Sequence, residues 1–373
     1  MRDSNSLPGA LLAIPGDLAT PTGGYAYARI LLERARSNHV PLHHWPLPML
    51  TLGPDGMPDR PEVLAEIVAR LDIAPTGWPI VLDGLVLSAL PPALVAAVRS
   101  PVVALIHHPL ALETGLSAEA AERLAENEAA VLAECAGVIA TSATTATTLA
   151  SDYGVPRYRI TVAQPGTEKP VVQPGAAALI PKQPALHLLS IGSLIPRKGH
   201  DLLIEALAAL PPAPWHLTIV GGARDLAYAA RIEALIAHHG FGNRITLTGE
   251  AAAEEVERAL VDAEIFVLAS HYEGYGMAYT EAVAAGLPVI GTEGGAIAEA
   301  TMGAARLVPP GDLVALTEAL HSVIGAPDAG ETRAGLRRAS QEAAARLPGW
   351  DQTLDTFLGA LAPFAPPASS RNR

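Results

Sequence analysis

The feature that most restricts the fold of this chain is an alternation that runs twice. Short apolar runs alternate with longer amphipathic stretches: ALLAIP with YAYARILLERAR, PIVLDG and VVALIHH with AEAAERLAENEAAVLAEC, and then GVIATS. That rhythm is the sequence form of repeated βαβ units, in which helices cover a parallel sheet. It breaks at EKPVVQPGAAALIPKQPA, rich in Pro, Gly and Ala, and restarts with LHLLSIG, DLLIEALAAL, WHLTIVGG and AYAARIEALIAHHG. RITLTG, EEVERALVDA, EIFVLAS, TEAVAAG and LPVIGT continue it. A chain of 373 residues suits two cores, because single cores stop growing at roughly 250–300 residues. The fold class is therefore α/β, with doubly wound parallel-sheet domains expected over residues 1–172 and 183–345. The segment 346–362 reads as a helix able to pack back on the first domain, and 363–373 as a disordered tail. Half the residues are hydrophobic but only 4% are aromatic, so both cores must be built from Ala, Leu, Val and Ile.

A net charge of −13 repels polyanions over most of the surface, so nucleic acid is not an expected partner. A small anion needs only one or two cations and some aimed backbone amides, and remains compatible with that charge. Cys135, the single cysteine, lies in AECAGVIA and reads as a small core residue; it excludes a disulfide or a cysteine-based metal framework within one chain. The apolar run near the N-terminus is too short to span a membrane, and Asp3 and the prolines spoil a signal peptide. Cytoplasmic residence is expected, and membrane contact, if any, would be peripheral.

In open α/β sheets ligands bind beyond the carboxyl ends of the strands, so the loops after strands are where chemistry is sought. Gly23 and Gly24, in PTGGY, either let backbone amides approach a phosphate or make a tight turn. His107 and His108 close an apolar strand; such a histidine can hydrogen-bond a sugar hydroxyl or be structural, and only one of two adjacent side chains faces a given side. Gly192 and Ser193 close the strand LHLLSI, and Arg197 and Lys198 precede a helix beginning near His200. A planar fork beside a point charge suits a diphosphate, although a solvated charged pair is the plain alternative. In SHYEGYGMAYTEAVAAG, Glu273 and Glu281 stand eight residues apart. Gly274 and Gly276 read as a flexible loop, and Glu281 as the opening of a helix, where the dipole favours a carboxylate. Together the two acids can flank one bound group; singly, each reads as a cap or a loop charge. Gly294 and Gly295 supply a further amide-rich loop, and Glu299 reads as helix N-terminal charge.

Taken together these residues resemble the family 4 retaining glycosyltransferases of the GT-B fold. The stretch E-G-Y-G-M-A-Y-T-E is similar to that family's pair of glutamates, and A-x-A-A-G-x-P-V-I-G-T-x-x-G-G follows it. PRKGHDLLIEAL, QPGTE and LVPPGD resemble further family segments. The likeness is strong over the second domain and thin over the first. It implies two Rossmann-like domains facing each other across a cleft, closing about a hinge near 170–183, and transfer of a sugar from a nucleoside-diphosphate donor. The acceptor would be a glycan, a lipid-linked molecule or a small molecule. It also implies that Arg197 and Lys198 contact the donor diphosphate, Glu273 the sugar and Glu281 the ribose, with Gly23, Gly24, Gly192, Ser193, Gly274, Tyr275, Gly276 and Met277 around the donor. His107 by position, with His108 as the other candidate, would reach the sugar. Ser193 departs from the family, which often has Arg there, and HHPLALETG departs from the commoner His-Asp form. Metal and cofactor are expected to be unnecessary, and bacterial glycan synthesis is the expected setting. An NAD-dependent oxidoreductase would need GxGxxG followed about 20 residues later by an acid, which neither domain carries. The same fold would also suit a sugar-nucleotide epimerase, a glycan phosphorylase or a non-catalytic nucleotide-sugar scaffold.

Overall fold

The computed structural model describes residues 9–53, 57–172, 177–181 and 184–365. Each of two compact units contains one six-stranded sheet whose strand pairs are all parallel. The first unit runs β1 (Ala10–Pro15), α1 (Gly23–Ser37), β2 (Leu42–Leu47), α2 (Pro61–Asp72), β3 (Ile80–Asp83), α3 (Gly84–Leu87) and α4 (Pro92–Ala97). It continues with β4 (Val102–Ile106), α5 (Ala118–Glu134), β5 (Gly137–Ala140), α6 (Ala143–Ser151) and β6 (Ile160–Val162). The second holds β7 (Leu186–Ile191), α7 (His200–Ala208), β8 (Trp215–Val220), α8 (Leu226–His238), β9 (Ile245–Gly249), α9 (Ala253–Asp262) and β10 (Ile265–Val267). After these come α10 (Met277–Ala284), β11 (Val289–Thr292), α11 (Ile297–Ala300), β12 (Arg306–Val308), α12 (Leu313–Ile324) and α13 (Ala329–Ala344). A last helix, α14 (Trp350–Leu361), follows.

The central strands are buried on both faces, as their unbroken apolar runs require: every residue of β1, β3, β4, β5, β8 and β11 is buried. Edge strand β2, LHHWPL, has no such run, and Pro46 is tolerated there because an edge needs fewer ladder donors. The strand orders β2-β1-β3-β4-β5-β6 and β12-β11-β10-β7-β8-β9 each reverse direction once, between β1 and β3 and between β7 and β10. Crevices at those reversals are where open α/β sheets bind ligands.

The first unit takes the chain up to Gly166 and again from Pro348, and the second runs Thr167–Leu347. The break therefore falls earlier than the expected residue 172. Its cause is local: Ile180 is buried in the second core with Phe266 and Leu268, and the Val171 amide donates to Glu257. Of the expected hinge near 170–183, residues 173–176 and 182–183 lie outside the described residues. Helix α14 packs on α1, β5 and β6. It is fixed there by Thr353 Oγ1 donating to the Gln164 carbonyl at 2.8 Å and by a backbone approach so close that a Cβ on Gly166 would stand 2.4 Å from Trp350 N. Residues 363–365 correct the expected tail: a 3-10 turn, Ala362–Phe364, lays Phe364 against Gly137. Residues 366–373 lie outside the described residues. Among the described residues no helix is long and apolar enough to cross a membrane. Cys135 is free and buried, and burial pushes its thiol up to about 12.

Candidate active site

In the second unit the reversal between β7 and β10 brings together residues 75 positions apart. After β7, the turn Pro196–Lys198 ends at Gly199 in a left-handed conformation, φ 63°, where a Cβ would stand 2.1 Å from the Ala269 carbonyl oxygen. Only glycine allows that approach, and it places Arg197 and Lys198 beside the end of β10. Gly192 leaves room for the Lys198 stem, whose Cδ would lie 3.1 Å from an added Cβ. His200, held neutral by burial that pushes it down to about 4, shares a hydrogen bond with the Gly192 carbonyl at 3.2 Å.

Lys198 Nζ lies 2.6 Å from Glu273 Oε1, and Arg197 lies 3.2 Å from Oε2 while also donating to the Tyr272 carbonyl at 2.8 Å. Ser270 donates to the same Oε1 at 2.6 Å. All three charged side chains are largely enclosed, at 13%, 16% and 8% exposure, which corrects the plain reading of Arg197 and Lys198 as a solvated pair. Burial raises the Glu273 carboxyl, but Lys198, Arg197 and Ser270 outweigh it and hold the group at about 2. Glu273 is thus an anion paired with two cations at the switch point.

The loop from Glu273 to Gly276 is buried rather than the flexible loop expected from its glycines. Glu273 forms a parallel bridge with Gly295, donates its amide to the Gly294 carbonyl and accepts from the Ala296 amide. Added Cβ atoms on Gly294 and Gly295 would meet the His271 and Glu273 carbonyl oxygens at 2.3 and 2.2 Å, so these glycines are explained by backbone packing. Thr292 donates to the Ser270 carbonyl, and Tyr279 to that of Leu268 at 2.6 Å. Gly276, φ 101°, starts α10 at Met277, so Glu281 sits in the second turn and does not open the helix. Burial together with Glu257 raises the Glu281 carboxyl to about 7. Tyr275 is buried, and Ser193 is half-buried on the β7 loop.

In the first unit the reversal between β1 and β3 leaves Gly23, Gly24 and Asp83 at one end of the sheet. Helix α1 begins at Gly23, and Thr22 provides no side-chain cap. The His107 ring lies over Gly24, 3.4 Å from where its Cβ would be, and meets Tyr27 edge-on at 5.5 Å between centroids. His107 Nε2 stands 3.7 Å from Asp83 Oδ2. His108 turns to its own loop, 3.2 Å from Glu113 Oε2. The structure therefore groups Gly23, Gly24 and His107 in one unit and Gly192, Arg197, Lys198 and Glu273 in the other.

Several supporting residues escaped the sequence reading. Glu128 accepts from the Leu110 and Ala111 amides at 2.7 and 3.1 Å, and Asn127 donates to the Ser88 and Leu90 carbonyls, so one stretch of α5 holds the loops after β3 and β4. Burial raises the Glu128 carboxyl despite those donors. Its signal was an acid on the buried stripe Leu124, Val131, Leu132. Asp83 signalled itself as an acid closing a wholly apolar strand; Ser270 and Thr292 had no comparable signal.

Residues 185–325 match the family model of the glycosyl transferases group 1. The chain is 30% identical over 249 residues to D-inositol 3-phosphate glycosyltransferase of Nocardia farcinica, covering 62% of this chain and 53% of that protein. It is 29% identical over 180 residues to mannosylfructose-phosphate synthase of Agrobacterium fabrum, covering 45% and 40%. The chain thus spans about half the length of the curated relatives it matches. Among solved structures, sucrose-phosphate synthase from Thermosynechococcus elongatus superposes with a TM-score of 0.74 at 20% identity, over 94% of this chain and 98% of that one. Anabaena HepE in complex with UDP-glucose gives 0.70 at 17%, over 95% and 99%. The fold is that of the GT-B glycosyltransferases. The segment that matches this family lies within the second unit.

Proposed function

We propose that this protein is a retaining glycosyltransferase that moves a sugar from a nucleoside-diphosphate donor to a hydroxyl of a glycan, lipid-linked or small-molecule acceptor. The observation that carries the reading is the enclosed Arg197–Lys198–Glu273 cluster at a switch point, inside the segment that matches the transferase family. A guanidinium fork and an ammonium beside one another offset charge on a departing diphosphate. A carboxylate accepts only, so Glu273 suits donors such as sugar hydroxyls once the diphosphate shares the two cations. We assign His107 to the donor sugar and the uncapped start of α1 at Gly23 and Gly24 to the distal phosphate. On the front-face course that we assign to it, one of the routes that retain configuration, the bond from the anomeric carbon to the phosphate oxygen breaks as the bond to the acceptor oxygen forms on the same face. The leaving phosphate takes the acceptor's proton. Glu281 is assigned to the ribose. We give the charge-offsetting role to Arg197 and Lys198 rather than to a metal ion, and place the reaction on the cytoplasmic side, in bacterial glycan or glycolipid synthesis.

HepE binds UDP-glucose, which makes uridine diphosphate donors the first to try. The test is release of nucleoside diphosphate from a panel of UDP-, GDP- and ADP-sugars with and without EDTA, and the anomeric configuration of any product by NMR. Turnover with one base, unaffected by EDTA and giving a retained anomer, is expected. An inverted anomer, or turnover abolished by EDTA, would contradict the mechanism.

A further inference from the structure

We propose that Asp83 is a positioning residue that sets the tautomer of His107, keeping the ring proton on Nε2 and leaving Nδ1 to accept a hydroxyl of the bound sugar. This rests on the reading that His107 faces the donor sugar. Asp83 ends β3 at the switch point of the first unit, its side chain only 4% exposed. Oδ1 caps α3 by accepting from the Leu85 amide at 2.8 Å. Oδ2 faces His107 Nε2 at 3.7 Å, beyond hydrogen-bond reach but well within the range of a carboxylate's field. A nitrogen lone pair turned towards that field would be repelled, whereas an N–H is attracted. Nε2 is sealed from solvent and has no hydrogen-bond partner among the described residues, so nothing else opposes the carboxylate's choice.

The rest of the ring's surroundings agree. Gly24 covers the Cδ2–Nε2 edge, and Tyr27 packs edge-on. The His107 carbonyl accepts from the Thr141 and Thr145 hydroxyls, both at 3.3 Å, which fixes the backbone from which the ring projects. The side chain is still 22% exposed although its Nε2 is sealed, and we take Nδ1, the other ring nitrogen, as the atom open to a ligand. A neutral imidazole with its proton on Nε2 presents a lone pair there, the acceptor that a sugar hydroxyl requires. Outer-shell carboxylates act on histidine ligands of metals in the same way, fixing tautomer and orientation.

A carboxylate that only capped α3 would be replaced without loss by Asn, whose side-chain oxygen can accept from Leu85 N. The experiment is therefore 15N-histidine NMR on the full chain, with His107 assigned by its loss in His107→Gln, together with donor kinetics for Asp83→Asn, His107→Gln and the double variant. In the unmodified protein a pyrrole-type Nε2 and a pyridine-type Nδ1 are expected, becoming a mixture of tautomers in Asp83→Asn. That variant should lose about 10-fold in kcat with little change in KM for the donor, and the double variant should be no worse than His107→Gln alone. Unchanged nitrogen shifts and unchanged kcat in Asp83→Asn would overturn the proposal. His107→Gln turning over at the full rate would instead overturn the assignment of His107 to the sugar, while the shifts, which need no turnover, would still decide what Asp83 does.

Discussion

Glu273 and Glu281 are eight residues apart, and their carboxyls are driven in opposite directions. At about 2, Glu273 lies below the ordinary 4.5, so it stabilises the folded protein above about pH 4.5, and that contribution is lost as pH falls towards 2. Glu281, at about 7, lies above 4.5; the folded state holds its proton more tightly, and stability is lost as pH rises from 4.5 through 7. Glu281→Gln imitates the protonated acid. It should raise the Tm at pH 8 and leave it nearly unchanged at pH 5; calorimetry at the two pH values giving equal shifts would contradict this. Glu273→Gln leaves two enclosed cations without their anion and should cost about 3 kcal/mol. Added nucleoside diphosphate should recover part of that loss, because phosphate supplies the missing charge, and denaturant titration with and without ligand reads the difference.

At the scale of elements, the site depends on turns that only glycine allows. Gly199→Ala would place a methyl 2.1 Å from the Ala269 carbonyl in a left-handed conformation, and the turn carrying Arg197 and Lys198 must move. Strain of about 1–2 kcal/mol is expected, with diphosphate affinity falling by more than the stability loss explains; equal affinity at equal folded fraction would show that the turn does not position the cations. Central strands and amphipathic helices were legible because their apolar periods are long and unbroken. The edge strand β2 was not, since Pro46 and two histidines interrupt it, and β6 and β12 have only three residues each. In the site, the residue types were legible but their partners were not. Lys198 meets Glu273 across 75 positions, and nothing local tells a solvated cation from a paired one. The start of α10 was misplaced for a related reason: the left-handed Gly276 admits a helix before Glu281 is reached.

At the scale of the molecule, each unit has its own core, and the first is completed by a helix from the far end of the chain. An amphipathic α14 could have packed on either unit, and the choice depends on the Gly166–Trp350 approach and the Thr353–Gln164 bond, which no local pattern encodes. Phe357 is fully buried on α14, the helix that packs on α1, β5 and β6. Phe357→Ala should cost about 3–5 kcal/mol. Hydrogen exchange should show the loss of protection confined to residues 9–166 and 348–365, with 184–347 unchanged; loss spread over both would contradict independent cores.

The central claim is that Arg197 and Lys198 form a diphosphate site, and isothermal titration of UDP, GDP and ADP into the protein and into Lys198→Ala tests it most directly. One of the three should bind, and Lys198→Ala should weaken it by at least about 10-fold, as loss of a charge-assisted contact worth roughly 1.5–3 kcal/mol requires. Equal affinity in the variant, or no binding by any nucleoside diphosphate, would contradict the account.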